Sequence, residues 1–386
     1  MRILLVAHGS PLEKMGGAGL LVQQLAQELH KRGHQVHVLV PKPNQLQAKL
    51  LTEEKKWGTL HQIEARYFQW RDSWDNQESQ QILRHWLNKL KPDVCHIHHL
   101  SGIPLNFHQL LPPKTKLIIT LHDYAIPCAR GQLYHREHRT CSTNHINNCY
   151  LCLKPFRASR GSIIQRLQVA EELLLSADTL LSPSQDLANR IQRFYPSCRV
   201  QLIALPLFEP PTKTQAVKDT DFIFVGSIIP PKGLDLLLKA ILRFPPAQAP
   251  SLKIIGFSAK YPSWKNYHQY CQNLASLSPS IQWLGEQEYA KTIREMSTAR
   301  CLVLPSLWPE NSPLTIREAT SLGLQVVCSA WGGAAELLSS SQFVLQKPSV
   351  FQLYLLLKQA RNQPEAKPKS WPSTKTYCDD IINIYN

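Results

Sequence analysis

A chain of 386 residues, 43% hydrophobic and 18% charged, has the composition of an ordinary globular protein of two or three domains, at roughly 150 residues each. Its net charge of +15 favours anionic partners such as phosphorylated ligands, anionic lipid or nucleic acid, but the Lys and Arg are dispersed without a block of like charge, which excludes a dedicated nucleic-acid arm. No apolar run reaches the roughly 18 residues of a membrane span.

Residues 3–7, Ile-Leu-Leu-Val-Ala, predict a buried strand. The run is too short for the apolar region of a signal peptide, so a cytoplasmic protein with mostly reduced cysteines is expected. Gly16, Gly17 and Gly19 follow a loop. Leu21, Val22, Leu25, Ala26 and Leu29 then mark one helical face up to Gly33, and 35–40 alternate as a strand. A strand, a glycine loop, a helix and a strand are the phosphate-cradling start of a doubly wound sheet. The dinucleotide pattern Gly-x-Gly-x-x-Gly is missing, which argues against a nicotinamide cofactor. The plain alternative for the glycines is a tight turn that binds nothing.

Residues 92–99 predict a short strand with His96, His98 and His99 at its carboxyl end. No carboxylate stands at metal-ligand spacing beside them, so they are expected as polar groups at the edge of a cleft. Residues 116–121 form a stronger strand that runs into His122-Asp123-Tyr124. Ligands of open α/β sheets sit at strand carboxyl ends, which places His122 at the site. Cys128, Cys141, Cys149 and Cys152 crowd into 25 residues and end in Cys-x2-Cys. In a reducing compartment this density suggests a structural zinc, with four buried thiols, or disulfides in an oxidising one, as the alternatives. Residues 154–167 carry Lys154, Arg157, Arg160 and Arg166 interleaved with Phe156, Ile163, Ile164 and Leu167. This is the pattern of a surface helix with one core face, or of peripheral contact with an anionic membrane.

Residues 206–220, with Pro206, Pro210 and Pro211, read as a linker. It separates a first domain, 1–205, from a second, 221–365, with a tail at 366–386 expected to form a helix that packs back on the first domain. The literal Asp219-Thr220-Asp221 precedes a strand and reads as a solvated turn rather than a cation site. The second half restarts with a strand at 222–225, the loop Gly226-Ser227-Ile228-Ile229-Pro230-Pro231-Lys232-Gly233 and a helix at 234–242. Further strands are expected at 253–256, 281–285 and 301–304. After the last comes Pro305-Ser306, a loop to Glu310, a helix opening at Pro313 and carrying Leu314, Thr315, Glu318 and Leu322, and Gly323 placed to cap it. A strand at 325–329 and Gly332-Gly333-x-x-Glu336 follow. The free N–H groups at the start of that helix suit a phosphate, and a carboxylate such as Glu318 can accept both hydroxyls of a diol.

Glu310-x7-Glu318, flanked by Pro305-Ser306 and Gly332-Gly333-x-x-Glu336, resembles the signature of the glycogen-synthase-like retaining glycosyltransferases. The same holds for the opening Gly-Gly, helix and Arg32-Gly33-His34-Gln35-Val36, and for His122-Asp123-Tyr124 followed by Cys128-x-Arg130-Gly-Gln-Leu133. The resemblance implies an α/β protein of GT-B fold, two Rossmann-like domains facing across a cleft. It implies transfer of a sugar from a nucleotide-sugar donor to an acceptor hydroxyl of a glycan or lipid-linked molecule, with retention of configuration. No cofactor is then needed for catalysis, and nucleic acid is not a partner. Glu310 and His122 would contact the sugar and Glu318 the ribose hydroxyls. Lys232, the amides of Gly16 and Gly17, and those of Leu314 and Thr315 would hold the diphosphate. The family has an Arg where this chain has Ser227; Ser227 can still donate a hydrogen bond, and Arg130 is a candidate to supply the missing charge. Peripheral attachment at the inner face of the membrane is consistent with a lipid-linked acceptor. The rivals are a sugar-nucleotide epimerase or hydrolase of the same fold and a zinc-containing nucleic-acid binder.

Overall fold

The computed structural model describes residues 1–8, 17–43, 47–65, 74–134, 140–141, 146–208, 217–258, 266–339 and 343–386. The chain divides into two α/β units. The first takes Met1–Arg136, Cys141–Phe208 and Pro372–Asn386, and the second Glu137–Thr140 and Glu209–Trp371.

The first unit begins with β1 (Arg2–Val6), α1 (Gly17–Lys31) and β2 (Gln35–Pro43), as the apolar periodicity predicts. The hairpin β3 (Lys49–Lys55) and β4 (Gly58–Ala65) and the helix α2 (Gln77–Leu90) come next. The chain continues through β5 (Val94–Ile97), β6 (Lys116–Thr120), α3 (Ile146–Leu153), α4 (Arg160–Leu175), β7 (Thr179–Ser182), α5 (Gln185–Phe194) and β8 (Val200–Leu202). The sheet order is β3-β4-β2-β1-β5-β6-β7-β8, parallel except for β3 against β4. Both faces are covered, which is why β1 is apolar without alternation. Ile3 and Leu5 join α1 and the C-terminal helix Thr374–Tyr385 in one core, while Leu4 and Val6 join residues of α2, α4 and α5 in the other. The hairpin was not legible as such. Gly58 sits at φ +128, and a Cβ there would stand 2.3 Å from the Val36 carbonyl oxygen, so only glycine lets β4 lie against β2.

The second unit holds β9 (Thr220–Val225), α6 (Leu234–Ile241), β10 (Leu252–Ile255), α7 (Tyr267–Ala275), β11 (Ile281–Gly285) and α8 (Tyr289–Thr298). It is completed by β12 (Ala299–Leu304), α9 (Leu314–Ser321), β13 (Gln325–Ser329), β14 (Val344–Leu345) and α10 (Val350–Arg361). Its sheet is parallel throughout, ordered β11-β10-β9-β12-β13-β14.

Three expectations are corrected in detail. Asp221 belongs to β9 rather than to a solvated turn. Its carboxylate accepts Arg361 Nε at 3.1 Å and the Ser251 N–H at 2.9 Å, while Asp219 pairs with Lys253 at 3.2 Å. The basic stretch at 154–167 is not one helix. A single tight turn, Lys154–Phe156, ends at Arg157 in the left-handed region (φ 60); Ser159 then caps α4 through a reciprocal bond with Ser162. Pro313 is the residue before α9 rather than its first, and its carbonyl accepts the Ile316 N–H at 3.2 Å.

Candidate active site

In the second unit β9 lies between β10 and β12, so the loops after β9 and β12 leave from the point where the strand order reverses. That is where open α/β sheets bind ligands. The two loops are locked together by backbone. The Leu307 N–H donates to the Pro231 carbonyl at 2.7 Å. Gly233 (φ +68) lies so close to Pro305 that a Cβ would stand 2.2 Å from its carbonyl oxygen. The loop after β9 is likewise pressed to β10: a Cβ on Gly256 would fall 1.9 Å from the Gly226 oxygen.

This packing delivers Lys232 to Glu310. Glu310 is 5% exposed, and one of its oxygens, Oε1, accepts three donors: Lys232 Nζ at 2.5 Å, Ser306 Oγ at 2.7 Å and Trp308 Nε1 at 2.8 Å. Hydrogen bonds to a charged group contribute about 1.5–3 kcal/mol each, so the carboxylate is held in one orientation through Oε1. The backbone is fixed too. The Gly333 N–H donates to the Glu310 carbonyl at 2.6 Å, and Glu310 pairs with Gly332 as an isolated bridge. Gly332 sits at φ +106, and a Cβ there would stand 2.4 Å from the Glu310 oxygen and 2.6 Å from its nitrogen. The paired glycines of the sequence signature are thus the bed on which Glu310 rests.

Glu318 lies on α9, 3% exposed. Burial pushes its carboxyl up to about 7, against the opposing pull of a Tyr289 hydrogen bond and of Arg317. Its Oε1 has no hydrogen-bond partner, an expensive condition for a buried carboxylate and one that a diol would relieve. Leu314 and Thr315 open α9, with Pro313 supplying no side-chain cap, and Gly323 (φ +78) closes it as expected. Ser227 is half-buried at the start of the loop after β9.

The first unit makes a second cluster by the same strand-end logic. The adjacent parallel strands β1, β5 and β6 end at one level and release His8, His98–His99 and His122–Asp123. His98 Nδ1 and His122 Nε2 share a proton across 3.0 Å. The Ser101 N–H donates to His99 Nδ1 at 2.9 Å, so the proton of that ring is on Nε2, which donates to Asp123 Oδ2 at 2.9 Å. Behind them His96 is fully buried, bridging Tyr385 Oη at 2.8 Å and Thr120 Oγ1 at 2.7 Å. Burial pulls His8 down to about 4 and His96 to about 3, and holds His98 and His122 well below the usual histidine range. Burial would raise Asp123, but His99 and the Ala125 N–H outweigh it and keep the carboxylate ionised. His98, His99, His122 and Asp123 line a cavity of about 80 Å³ with Trp74 and Arg166. The buried His98 Nε2 has no partner there.

The sequence matches two family models that between them run along most of its length: glycosyltransferase family 4 over residues 15–206 and glycosyl transferases group 1 over 209–371. The chain belongs to the group 1 glycosyltransferases of GT-B fold. Solved structures agree on the fold. Sucrose-phosphate synthase from Thermosynechococcus elongatus is 17% identical, with a TM-score of 0.70 over 100% of this chain and 95% of that one. An α,α-trehalose-phosphate synthase (UDP-forming) from Burkholderia xenovorans, in complex with glucose-6-phosphate, is 13% identical, with a TM-score of 0.68 over 100% of both chains. HepE of Anabaena, in complex with UDP and glucose, is 16% identical, with a TM-score of 0.63 over 100% of this chain and 94% of that one. No curated protein matches the sequence.

Of the residues expected in the site of this glycosyltransferase, the second unit brings Lys232 against Glu310 and carries Glu318, Leu314 and Thr315 on the helix that follows. The first unit places His122 in the histidine cluster and Gly17 at the first residue of α1. Gly16 lies outside the described residues. Arg130 belongs to the first unit, with its guanidinium directed at Cys152 Sγ at 3.7 Å. Cys128, Cys149 and Cys152 are free thiols, and among the described residues no three His, Cys, Asp or Glu side chains are grouped to hold a metal. Burial, then the neighbouring Cys128 and Cys152, push the Cys149 thiol up to about 11. Among the described residues no helix is long and apolar enough to cross a membrane. Trp308, Tyr289, His8 and Asp123 were not singled out from the sequence. For His8 and Asp123 the signal was present, since each follows an expected strand end; Trp308 and Tyr289 carried none.

Proposed function

We propose that the protein transfers a sugar from a nucleotide-sugar to an acceptor hydroxyl with retention of configuration. The observation that carries this is a pair of buried carboxylates: Glu310, with one oxygen saturated by Lys232 and two further donors, and Glu318 on the helix that follows, with an oxygen that has no partner. Glu318 would accept the ribose hydroxyls. Lys232 and the first amides of α9 would hold the diphosphate, and Glu310 Oε2 would take a hydroxyl of the transferred sugar. UDP is the first nucleotide to try, since HepE is described with UDP and the trehalose-phosphate synthase as UDP-forming.

No side chain is placed as a covalent nucleophile in this reading. The bond from the anomeric carbon to the diphosphate oxygen breaks as the acceptor oxygen bonds to that carbon on the same face. The acceptor proton passes to the departing diphosphate oxygen. The protein stabilises the charge growing on that diphosphate. His122, neutral and polar, suits a hydrogen bond to a sugar hydroxyl.

A thermal-shift screen of UDP-, GDP- and ADP-sugars tests the reading. A donor at 100 times its dissociation constant adds about 2.7 kcal/mol of stability. Product analysis by NMR then separates transfer from epimerisation or hydrolysis. Stabilisation by none of the nucleotide-sugars would reject the proposal.

A further inference from the structure

We propose that the turn at Lys154–Phe156 and the first two turns of α4 form a docking surface for an anionic lipid bilayer. Three apolar side chains point outward here: Leu151 is 56% exposed, Phe156 53% and Ile164 40%. Lys154, Arg157 and Arg160 stand exposed among them, and no Asp or Glu occurs from residue 154 to 170. Arg160 and Ile164 are four apart and share a helix face. The pattern is of aromatic and aliphatic tips within reach of the acyl boundary and cations at the level of the headgroups.

The surface is presented rigidly. Pro155 stands inside the tight turn, and the Arg157 N–H closes it on the Lys154 carbonyl at 2.9 Å. Arg157 itself holds a left-handed backbone (φ 60) that is costly for any residue but glycine. Arg160 lies over the Tyr150 ring at 4.5 Å, tying α3 to α4. The apolar tip is thus displayed without the ordering cost that a loose loop would bear on binding. The patch also has an end: the exposed Leu175 farther along α4 follows Glu171 and Glu172. Residues 154–170 carry charge of a single sign, which an anionic surface attracts.

The same helix joins the surface to the acceptor-side cluster. Arg166, one turn past the patch and buried, donates to the carbonyls of Ile126 at 3.0 Å and Ala125 at 2.6 Å and lines the cavity that holds His98, His122 and Asp123. A bilayer on the outer face of α4 therefore lies against the element whose inner face shapes that cavity. The consequence for chemistry, a lipid-linked acceptor, rests on the transferase reading; the docking itself does not.

Co-sedimentation of the full chain with vesicles of phosphatidylcholine alone, and of phosphatidylcholine mixed with phosphatidylglycerol, tests the surface. Binding is expected to the mixed vesicles only, and to weaken with salt. Each Lys or Arg near an anionic surface strengthens binding about fivefold (~1 kcal/mol). Lys154→Ala with Arg157→Gly should then weaken binding about 30-fold; the glycine suits the left-handed backbone. Phe156→Ser should cost about tenfold from lost apolar burial. Gln168→Lys, one helical turn beyond Ile164, should tighten binding about fivefold and checks the surface without removing anything. Equal partition to both vesicle types, binding to neither, or unchanged binding in these variants overturns the proposal. The donor-induced thermal shift is read on the same samples without vesicles. A chain that binds anionic vesicles but no nucleotide-sugar would reject the transferase reading and leave the docking surface standing.

Discussion

Replacing Glu318 by Gln probes the donor site and the cost of building it in one variant. The wild-type carboxyl is 3% exposed, and burial raises it from 4.5 to about 7. A carboxyl raised in the folded state favours folding most at low pH. Its contribution is fully present below about 4.5 and is lost as pH rises through about 7. The loss is 2.5 pH units at 1.36 kcal/mol each, or about 3 kcal/mol. Glu318→Gln removes the charge that has to be buried, so at pH 8 the variant should be more stable than wild type by about 1–3 kcal/mol. At pH 4 the two should be nearly equal. Urea denaturation at the two pH values reads this directly.

Binding should change in the opposite direction. The ionised carboxylate accepts two hydroxyls, and at pH 6 only about a tenth of it is ionised. Donor affinity measured by calorimetry should therefore fall about tenfold from pH 8 to pH 6. A nucleotide-sugar is the right probe, because its diphosphate has no group titrating in that range. Glu318→Gln should bind about 10- to 100-fold more weakly at pH 8, with the pH dependence gone. A variant that binds donor like wild type, or one that is less stable at pH 8, would refute both the ribose role and the argument from burial.

Glu310→Ala strips three donors of their acceptor, and turnover should drop by about two to three orders of magnitude. Donor affinity should weaken less than turnover, if the sugar contact tightens in the transition state; steady-state kinetics beside calorimetry separates the two. Gly332→Ala should destabilise the second unit by about 1–3 kcal/mol, since the added Cβ meets both the nitrogen and the oxygen of Glu310; urea denaturation should show it together with weakened donor binding. Elemental analysis of protein purified without added metal should find well below one equivalent of zinc, with Cys128, Cys141, Cys149 and Cys152 reacting as thiols once the chain is unfolded. A full equivalent of zinc would overturn this expectation.

What was legible in the sequence was what period and punctuation encode. The α1 face from Leu21 to Leu29, the unbroken apolar β1 and the cap at Gly323 follow from spacing alone, and the structure keeps them. The positions of Glu310 and Glu318 were legible because Glu310-x7-Glu318 and its flanks resemble a family signature. What was hidden were contacts between distant segments. Nothing near Gly332 in the sequence tells that it lies on Glu310, or that Gly233 lies on Pro305. The burial of Arg166 was hidden for the same reason, because its partners are carbonyls 40 and 41 residues away. An arginine four residues after Ser162 reads as surface until the loop at Ala125–Ile126 is folded against it.

The two units carry opposite electrostatic characters, and the proposed reaction accounts for the difference. In the second unit the polar groups are charged or poised to be: Lys232, Glu310, and Glu318 near 7. A diphosphate that gains charge as it departs needs a cation beside it, and Lys232 enters the reaction already committed to Glu310 at 2.5 Å. In the proposed reaction, with Ser227 where the family resemblance implies an arginine, a bound diphosphate would draw Lys232 partly away from Glu310. Binding of the diphosphate and release of the Glu310 carboxylate toward the sugar would then be one event. In the first unit burial holds His8, His96, His98 and His122 below the usual histidine range, toward the neutral ring. An acceptor hydroxyl that must give its proton to the leaving phosphate gains nothing from a strong base nearby. Neutral rings such as His98 and His122, locked by hydrogen bonds, can orient a hydroxyl while leaving its proton for the phosphate.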